Sequence, residues 1–278
     1  MKKMIAEGKT KLILEHPSNN PNLIIIKSKN DITSGDGANR DEIEGKSISA
    51  TQTTVNCFNL LLNKGIKNHF AGVHENVLDE FVADKLEMIP IELVARRIAF
   101  GSYLKRNPNE TEGRIFEHPV IEFFFKDDSL HDPLIILDSV RNKTLLIEPS
   151  KPIGEGEIIE REMLQINNAP ATQSVDKLKS LTTKTFLVLE KAWAKIGVTL
   201  VDLKIECGIN SAGKIVVGDV IDNDSWRIWP AGDKNQMMDK QVYRDLEIKS
   251  GKELGKIKDN YQWVAKQTEK FLLPPQVG

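Results

Sequence analysis

The sequence is poor in cysteine, with Cys57 and Cys207 the only two among 278 residues. They lie far apart and form no CxxC, which argues against a disulfide framework and a thiolate zinc site. Reduced thiols in a cytoplasmic protein are the expectation. No apolar run approaches the roughly 18 residues needed to span a bilayer. The stretch Met1-Lys2-Lys3-Met4-Ile5-Ala6-Glu7 has charge but no apolar centre, so no secretory leader is expected. His16, His69, His74, His118 and His131 show no HxxxH or HxxH spacing, and zinc is not expected. GxSxG, GxGxxG and the Walker A loop are all missing, so an enzyme nucleophile has no support. There is no internal repeat and no low-complexity tract. The net charge of −2 gives no global field that would favour nucleic acid or an anionic membrane. Any basic site must be a local cluster.

What is present fits a folded α+β protein. At 40% hydrophobic and 28% charged residues, a packed core is expected rather than disorder. Lys11 to Leu14 and Leu23 to Ile26 read as strands, with Asn19, Asn20 and Pro21 turning between them. Ile48, Val55, Phe58 and Leu62 recur at helical spacing up to Gly65. Apolar runs follow from Val77 to Val82 and from Ile89 to Ala95. Leu178, Leu181, Thr185, Leu189, Ala192 and Ile196 form a longer helical stripe stopped by Gly197. Thr199 to Glu206 and Lys214 to Ile221 read as a hairpin turning at Asn210 to Gly213. Ile257, Tyr261, Val264, Thr268 and Phe271 give a terminal amphipathic helix, ended by Pro274 and Pro275. The architecture expected is two lobes around a cleft: an antiparallel, strand-rich front lobe over residues 1–89, and a mixed α/β rear lobe over 90–278 that ends in the helix.

Five segments could carry chemistry. Gly8-Lys9-Thr10-Lys11 offers a glycine and two cations to a phosphate, though by itself it also reads as a solvated turn. The same holds for Ser34-Gly35-Asp36-Gly37, which could expose a carboxylate on a tight bend. In Arg96-Arg97-Ile98-Ala99-Phe100-Gly101-Ser102-Tyr103-Leu104-Lys105-Arg106, four cations flank a Gly-Ser step. Arginine grips phosphate bidentately, but a charged surface accounts for this pattern equally well. Arg96 follows an apolar run directly, so burying it would require a partner. Phe123-Phe124-Phe125 reads as a buried strand running into Lys126, Asp127, Asp128 and Asp132. The fifth segment says most. Asp202-Leu203-Lys204-Ile205-Glu206 alternates, so residues 202, 204 and 206 share one strand face. Asp219 on the partner strand could join them. Magnesium takes one or two carboxylates together with substrate phosphates, and a lysine among the acids suits a site that also holds an anion. A solvated polar sheet face is the competing account.

Taken in order, these motifs resemble the SAICAR synthetase family. The resemblance rests on Gly8-Lys9-Thr10-Lys11, Ser34-Gly35-Asp36-Gly37, Ile89-Pro90-Ile91-Glu92 through Arg96 to Gly101-Ser102, Val201-Asp202-Leu203-Lys204-Ile205-Glu206, and Gly218-Asp219 with Ser225-Trp226-Arg227. It covers essentially the whole chain. It looks closest to the front domain of the animal bifunctional enzyme, through Phe125-Lys126-Asp127-Asp128, Val220 to Arg227 and Trp263-Val264-Ala265. No second catalytic domain is expected, since the sequence stops at Gly278.

The resemblance implies an ATP- and Mg²⁺-dependent ligase of purine biosynthesis. It would join L-aspartate to a carboxylated aminoimidazole ribonucleotide through an acyl phosphate. It implies that Gly8, Lys9 and Lys11 meet the ATP phosphates and that the backbone near Met88 meets the adenine. Glu206 and Asp219 would hold the metal, with Lys204 beside them on the anion. Arg96, Ser102 and Arg227 would hold the ribonucleotide phosphate. Lys126 and Asp36 would serve the carboxylate and aspartate subsites, and Lys204, Lys126 and Asp36 are the expected catalytic set. Small molecules, not nucleic acid or membrane, are the expected partners, and a homo-oligomer is possible. Two positions depart from the family pattern: Phe100 stands where Thr or Ala is usual, and Cys207 where Phe is usual. The expectation is that these two side chains pack together and conserve volume. A small-molecule kinase and a non-catalytic nucleotide-binding module remain as competing readings. Consumption of aspartate separates the first from the ligase, and any turnover excludes the second.

Overall fold

The computed structural model describes residues 2–18, 20–35, 39–74, 76–246 and 250–273. Asp36, Gly37, Pro274 and Pro275, which carry expectations from the sequence, lie outside the described residues. Two antiparallel sheets dominate. The first has the order β1 (Met4–Glu7), β2 (Lys11–Glu15), β3 (Leu23–Ser28), β7 (Glu80–Asp84) and β6 (Phe70–Val73). Between β3 and β6 come the short pair β4 (Asp31–Ser34) and β5 (Asn39–Glu42) and the helix α1 (Lys46–Asn63).

The second sheet has eight strands. β8 (Glu87–Ile98), β9 (Ile115–Phe125), β10 (Leu134–Asp138), β11 (Lys143–Ile147) and β12 (Ile158–Glu162) run outward as a meander. On its other side β8 pairs with β15 (Val198–Ile209). The outer edge of β15 is shared: β16 (Ile215–Gly218) takes its end, and β17 (Trp226–Pro230) takes its start. The short pair β13 (Gln165–Ile166) and β14 (Ala169–Pro170) leads into α3 (Val175–Ala194). The helices α2 (Ser102–Arg106), α4 (Gln241–Arg244) and α5 (Gly251–Glu269) complete the described elements.

The helices form where the apolar spacing predicts, with one exception. Leu178, Phe186, Leu189 and Trp193 of α3 are buried against the inner face of the large sheet, where Leu93, Leu203, Ile205 and Cys207 lie. Gly197, at φ +73°, follows the helix end. Ile257, Tyr261, Val264 and Thr268 of α5 are all buried, and α5 packs along α1. In α1, Phe58 and Leu61 are buried, but Ile48 is 40% exposed. The buried positions at that end of the helix are instead Lys46, Ser47, Ala50 and Thr51: Thr51 meets Ser28 of β3 at 2.8 Å, and Ala50 packs with Ile257 and Tyr261 of α5. The helix ends in a Schellman motif: Ile66 N–H donates to the Leu61 carbonyl and Gly65 N–H to that of Leu62, with Gly65 at φ +76°.

Strand β8 is longer than its apolar run, and it passes through Pro90. Register explains how a proline fits. Glu206 faces Glu92 and Gly208 faces Met88, so β8 bulges around Pro90, where the missing N–H costs no ladder bond. A second bulge matters more. Leu200 faces Ile228, but Asp202 faces Arg227, so Val201 is the extra residue on β15. Without that bulge Val201, not Asp202, would stand opposite Arg227, and Asp202 would turn to the core face.

Candidate active site

A cleft of about 790 Å³ lies over the outer face of β8, β9 and β15, and the β1–β2 turn and the segment after β16 wall it. Alternation sends Glu92, Val94 and Arg96 of β8 and Asp202, Lys204 and Glu206 of β15 into it, while the intervening residues face the core. Gly8, Lys9 and Lys11 line it from the hairpin, as do Lys126 from the end of β9, Ser102 from α2, and Asp219 and Arg227. Met88 sits at the far end of the cleft-facing row of β8, opposite Gly208 and 41% exposed. It is not among the residues that line the cleft.

At one end, five charges alternate. Arg106 donates to Glu122 (2.6 Å), and Arg96 donates through Nε to the same carboxylate. Arg96 Nη1 then reaches Asp202 Oδ2 at 2.9 Å, and Arg227 Nη1 reaches that same oxygen at 2.5 Å. Arg96 is 3% exposed and Arg106 is 2% exposed. Along this row three guanidinium groups meet two carboxylates, with Asp239 a further negative charge near Arg227, and the arginines at its open end suit an anion. Ser102 Oγ, 3.4 Å from Arg96 Nη2, adds a hydroxyl at the open end. The Asp202 charge raises the Arg227 pKa above its ordinary value against the opposing effect of burial. Burial lowers that of Arg106 despite Glu122. Gly101 is required here. It has φ +60°, and a Cβ on it would lie 2.8 Å from Arg227 Nη2.

At the other end, each acid meets a lysine. Glu206 faces Gly218 across the ladder, which puts its carboxylate beside Asp219. Lys126 Nζ donates to Glu206 Oε1 at 2.7 Å, Lys11 pairs with Asp219 Oδ1, and Lys204 lies 2.5 Å from Glu92 Oε1. Burial, and then the Asp219 charge, push the Glu206 carboxyl up. For Asp219 burial acts the same way, but Lys11, Lys126 and Lys204 together outweigh it and hold the carboxyl down. Lys11 and Lys204 are partly buried; desolvation lowers their pKa values, but their acid partners outweigh it, raise them and keep both charged. Glu206 Oε2 and Asp219 Oδ2 have no partner among the described residues. Asp219 sits at φ +60°, which ends β16 sooner than the sequence pattern suggests. His69 holds it there: the ring Nε2 lies 2.9 Å from the Asp219 carbonyl, and burial lowers the histidine pKa to about 4. The neutral ring therefore donates to that carbonyl.

The structure brings together Lys9, Lys11, Arg96, Ser102, Lys126, Lys204, Glu206, Asp219 and Arg227 as lining of one cleft. The N–H of Gly8 closes the turn onto the Lys11 carbonyl at 2.9 Å. Lys9 is tethered to Asp128 at 3.1 Å. Asp202 shares the face of Glu206, as the alternation predicts, but its carboxylate is bound to arginines. The expected contact between Phe100 and Cys207 does not form. Phe100 packs edge-to-face on Trp229 in a small outer cluster, and Cys207 lies in the main core. The bulky ring is accommodated by Trp229, and the small thiol by Val217 across the ladder.

Sequence reasoning missed Glu122 and gave no individual role to Asp222 and Asp224 in the segment after Asp219. Glu122 stands in the apolar run Val120 to Phe125, and an acid there needs a buried partner. That signal was available. Asp224 takes Lys240 at 2.7 Å and the Tyr261 hydroxyl, which ties the cleft wall to α5. Burial and the Asp224 charge push the Asp222 carboxyl up, while Lys240 and Lys46 overcome burial to pull Asp224 down. These pairings depend on residues far apart in the chain.

The SAICAR synthetase family model matches residues 4–267. The phosphoribosylaminoimidazole-succinocarboxamide synthase of Roseiflexus sp. (strain RS-1) is 40% identical over 96% of this chain and 97% of its own length. The multifunctional protein ADE2 of Gallus gallus is 42% identical over 99% of this chain, which spans 60% of that protein. Among solved structures, a SAICAR synthetase (Type-2) in complex with ADP superposes with a TM-score of 0.75. It has 27% identity and covers 96% of this chain and 97% of its own. No helix among the described residues is long and apolar enough to cross a membrane.

Proposed function

The chain belongs to the SAICAR synthetase family, and from that premise we propose how the two ends of its cleft share the reaction. The enzyme joins L-aspartate to the 4-carboxylate of 5-amino-1-(5-phosphoribosyl)imidazole-4-carboxylate, giving SAICAR in purine biosynthesis with ATP as the energy source. In our reading Arg96, Ser102 and Arg227 hold the 5′-phosphate of the ribonucleotide. Its carboxylate then extends along β15 toward Lys204 and Lys126. Lys9 and Lys11 meet the ATP phosphates, and the adenine lies toward Met88. Asp36 belongs with the aspartate subsite in this scheme. A cytoplasmic location fits the two buried, unbridged cysteines.

A carboxylate is a poor electrophile. One of its oxygens attacks the γ-phosphorus, the bond to ADP breaks, and an acyl phosphate forms. The aspartate amine, having lost a proton, attacks the acyl carbon. Phosphate departs with its electron pair, and the nitrogen loses a second proton to leave the amide. None of these steps needs an enzyme nucleophile. Positioning and charge neutralisation are what the lysines and arginines can supply. Two adjacent acids, each with one uncommitted oxygen, fit Mg²⁺ held partly by phosphates. Among the described residues no group of three or more His, Cys, Asp or Glu makes a closed cage. Glu206 and Asp219 would hold the ion, which when bound neutralises phosphate charge.

The observation that carries this reading is the order of groups along β15: Asp202 fixing two arginines, then Lys204, then Glu206 beside Asp219. β15 thus contributes Asp202 to an anion site and Glu206 to an acid pair, with Lys204 between them. The test is ADP release from ATP and the carboxylated ribonucleotide, with and without L-aspartate. We expect stoichiometric SAICAR and ADP only with all three substrates. Steady ADP release that ignores aspartate would make this a kinase.

A further inference from the structure

Resting on the assignment of Arg227 to the phosphate subsite, we propose that Phe100 is a positioning residue for that subsite. Its ring would cover one face of the Arg227 guanidinium and fix the plane that guanidinium presents to the phosphate. Hydrogen bonds alone do not fix that plane. Nη1 is held by Asp202 at 2.5 Å, and Nη2 reaches Gln241 Oε1 at 3.3 Å. Nε is buried with no partner among the described residues. A guanidinium held mainly at one corner can still tilt, and bidentate recognition of phosphate depends on its plane.

Two neighbours limit the tilt. Gly101 lets the backbone come against Nη2, as described above. The Phe100 ring lies with its centroid 5.7 Å from the Arg227 Cζ, within the distance at which the negative face of an aromatic ring attracts a cation. The ring is itself fixed by Trp229, edge-to-face at 5.2 Å and 87°, the geometry that aromatic quadrupoles favour. Trp229 also stands two residues after Arg227 on β17, so one strand carries both the arginine and the support for its cover. The competing account is that Phe100 only fills space beside Ile98, Val201 and Trp229. In that case any apolar side chain of similar size would serve.

Comparing Phe100→Leu with Phe100→Tyr separates the two. The readouts are KM for the ribonucleotide, kcat, KM for ATP, and competitive inhibition by inorganic phosphate. We expect Leu to raise the ribonucleotide KM and the phosphate inhibition constant together, by about five-fold. The kcat and the ATP KM should hold, and Tyr, which keeps the ring face, should match the wild type. A Leu enzyme equal to wild type, or Leu and Tyr shifted alike, overturns the proposal in favour of packing. Circular dichroism melting checks the fold; if the Leu protein melts below assay temperature, Phe100→Met takes its place. Arg227→Gln tests the underlying assignment separately. If it leaves ribonucleotide KM and phosphate inhibition unchanged, the subsite itself is wrong, whatever Phe100 does.

Discussion

Glu206 is a buried acid placed beside a second acid, with a lysine on one oxygen only. Such a group costs stability in the empty protein and returns it when a cation arrives. Glu206→Gln should therefore fold at least as stably as the parent at neutral pH, by urea denaturation. Its turnover should fall by about 100-fold or more, since even partners outside the metal's direct ligands cost 10–100-fold. A fully active variant would remove the acid pair from the mechanism. Asp202 behaves in the opposite way. One of its oxygens serves two arginines, so Asp202→Asn leaves buried cations undercompensated, and a loss of about 3 kcal/mol is expected. Denaturation measures that loss, and a raised ribonucleotide KM with a near-normal ATP KM shows that it falls at the phosphate end. Of these residues, Lys204 and Glu206 were legible in the sequence because period-two alternation is explicit there. The partners of Asp202 were not, because nothing local marks Arg96 or Arg227 as its neighbours.

At the scale of elements, the segments with strong periodicity form where the pattern places them, α3, α5 and the hairpin of β15 and β16, although β16 stops at Gly218 and α5 at Glu269. What periodicity could not supply was where strands bulge. The extra residue at Val201 brings Asp202 opposite Arg227, and an apolar run carries no sign of it. The link from the segment after α1 to the end of β16 was equally hidden. There His69 donates to the Asp219 carbonyl and sits among Phe58 and Phe81. Its pKa, lowered by burial to about 4, carries a stability term with a definite sign. Between about 6.5 and 4 the unfolded chain binds a proton here that the folded chain refuses. This contribution is full above 6.5 and is lost as pH falls toward 4, by about 3 kcal/mol in total. Asp239, pushed up by burial to about 6, slopes the other way, favouring the fold below its ordinary pKa and losing that as pH rises through 6. The difference between wild type and His69→Gln isolates the histidine. Urea titrations at several pH values should show the variant less acid-sensitive across this window.

At the scale of the whole molecule, one cleft lies between the small sheet's hairpin and the floor of the large sheet, so a ligand there touches both. Ligand linkage should therefore be large. At 100 times its dissociation constant, a ligand adds about 2.7 kcal/mol, or roughly 5 °C in Tm at this size. We expect ATP with Mg²⁺ to raise Tm by more than ATP with a chelator. The Glu206→Gln, Asp219→Asn double variant should erase that difference while retaining the smaller shift. Equal shifts in the wild type with and without the ion would place the metal elsewhere.

The alternating charges from Arg106 to Arg227 also bear on the order in which the molecule assembles. Glu122 meets its arginines 16 and 26 residues away, and Asp202 meets Arg227 at 25. These halves can close early from nearby chain. Only Arg96 and Asp202, 106 residues apart, join them, and that contact needs β8 to find β15 across the intervening meander and α3. A refolding chain would therefore hold two incomplete fragments of its anion site until the central strands pair. The moment at which phosphate binding returns would then time that pairing directly.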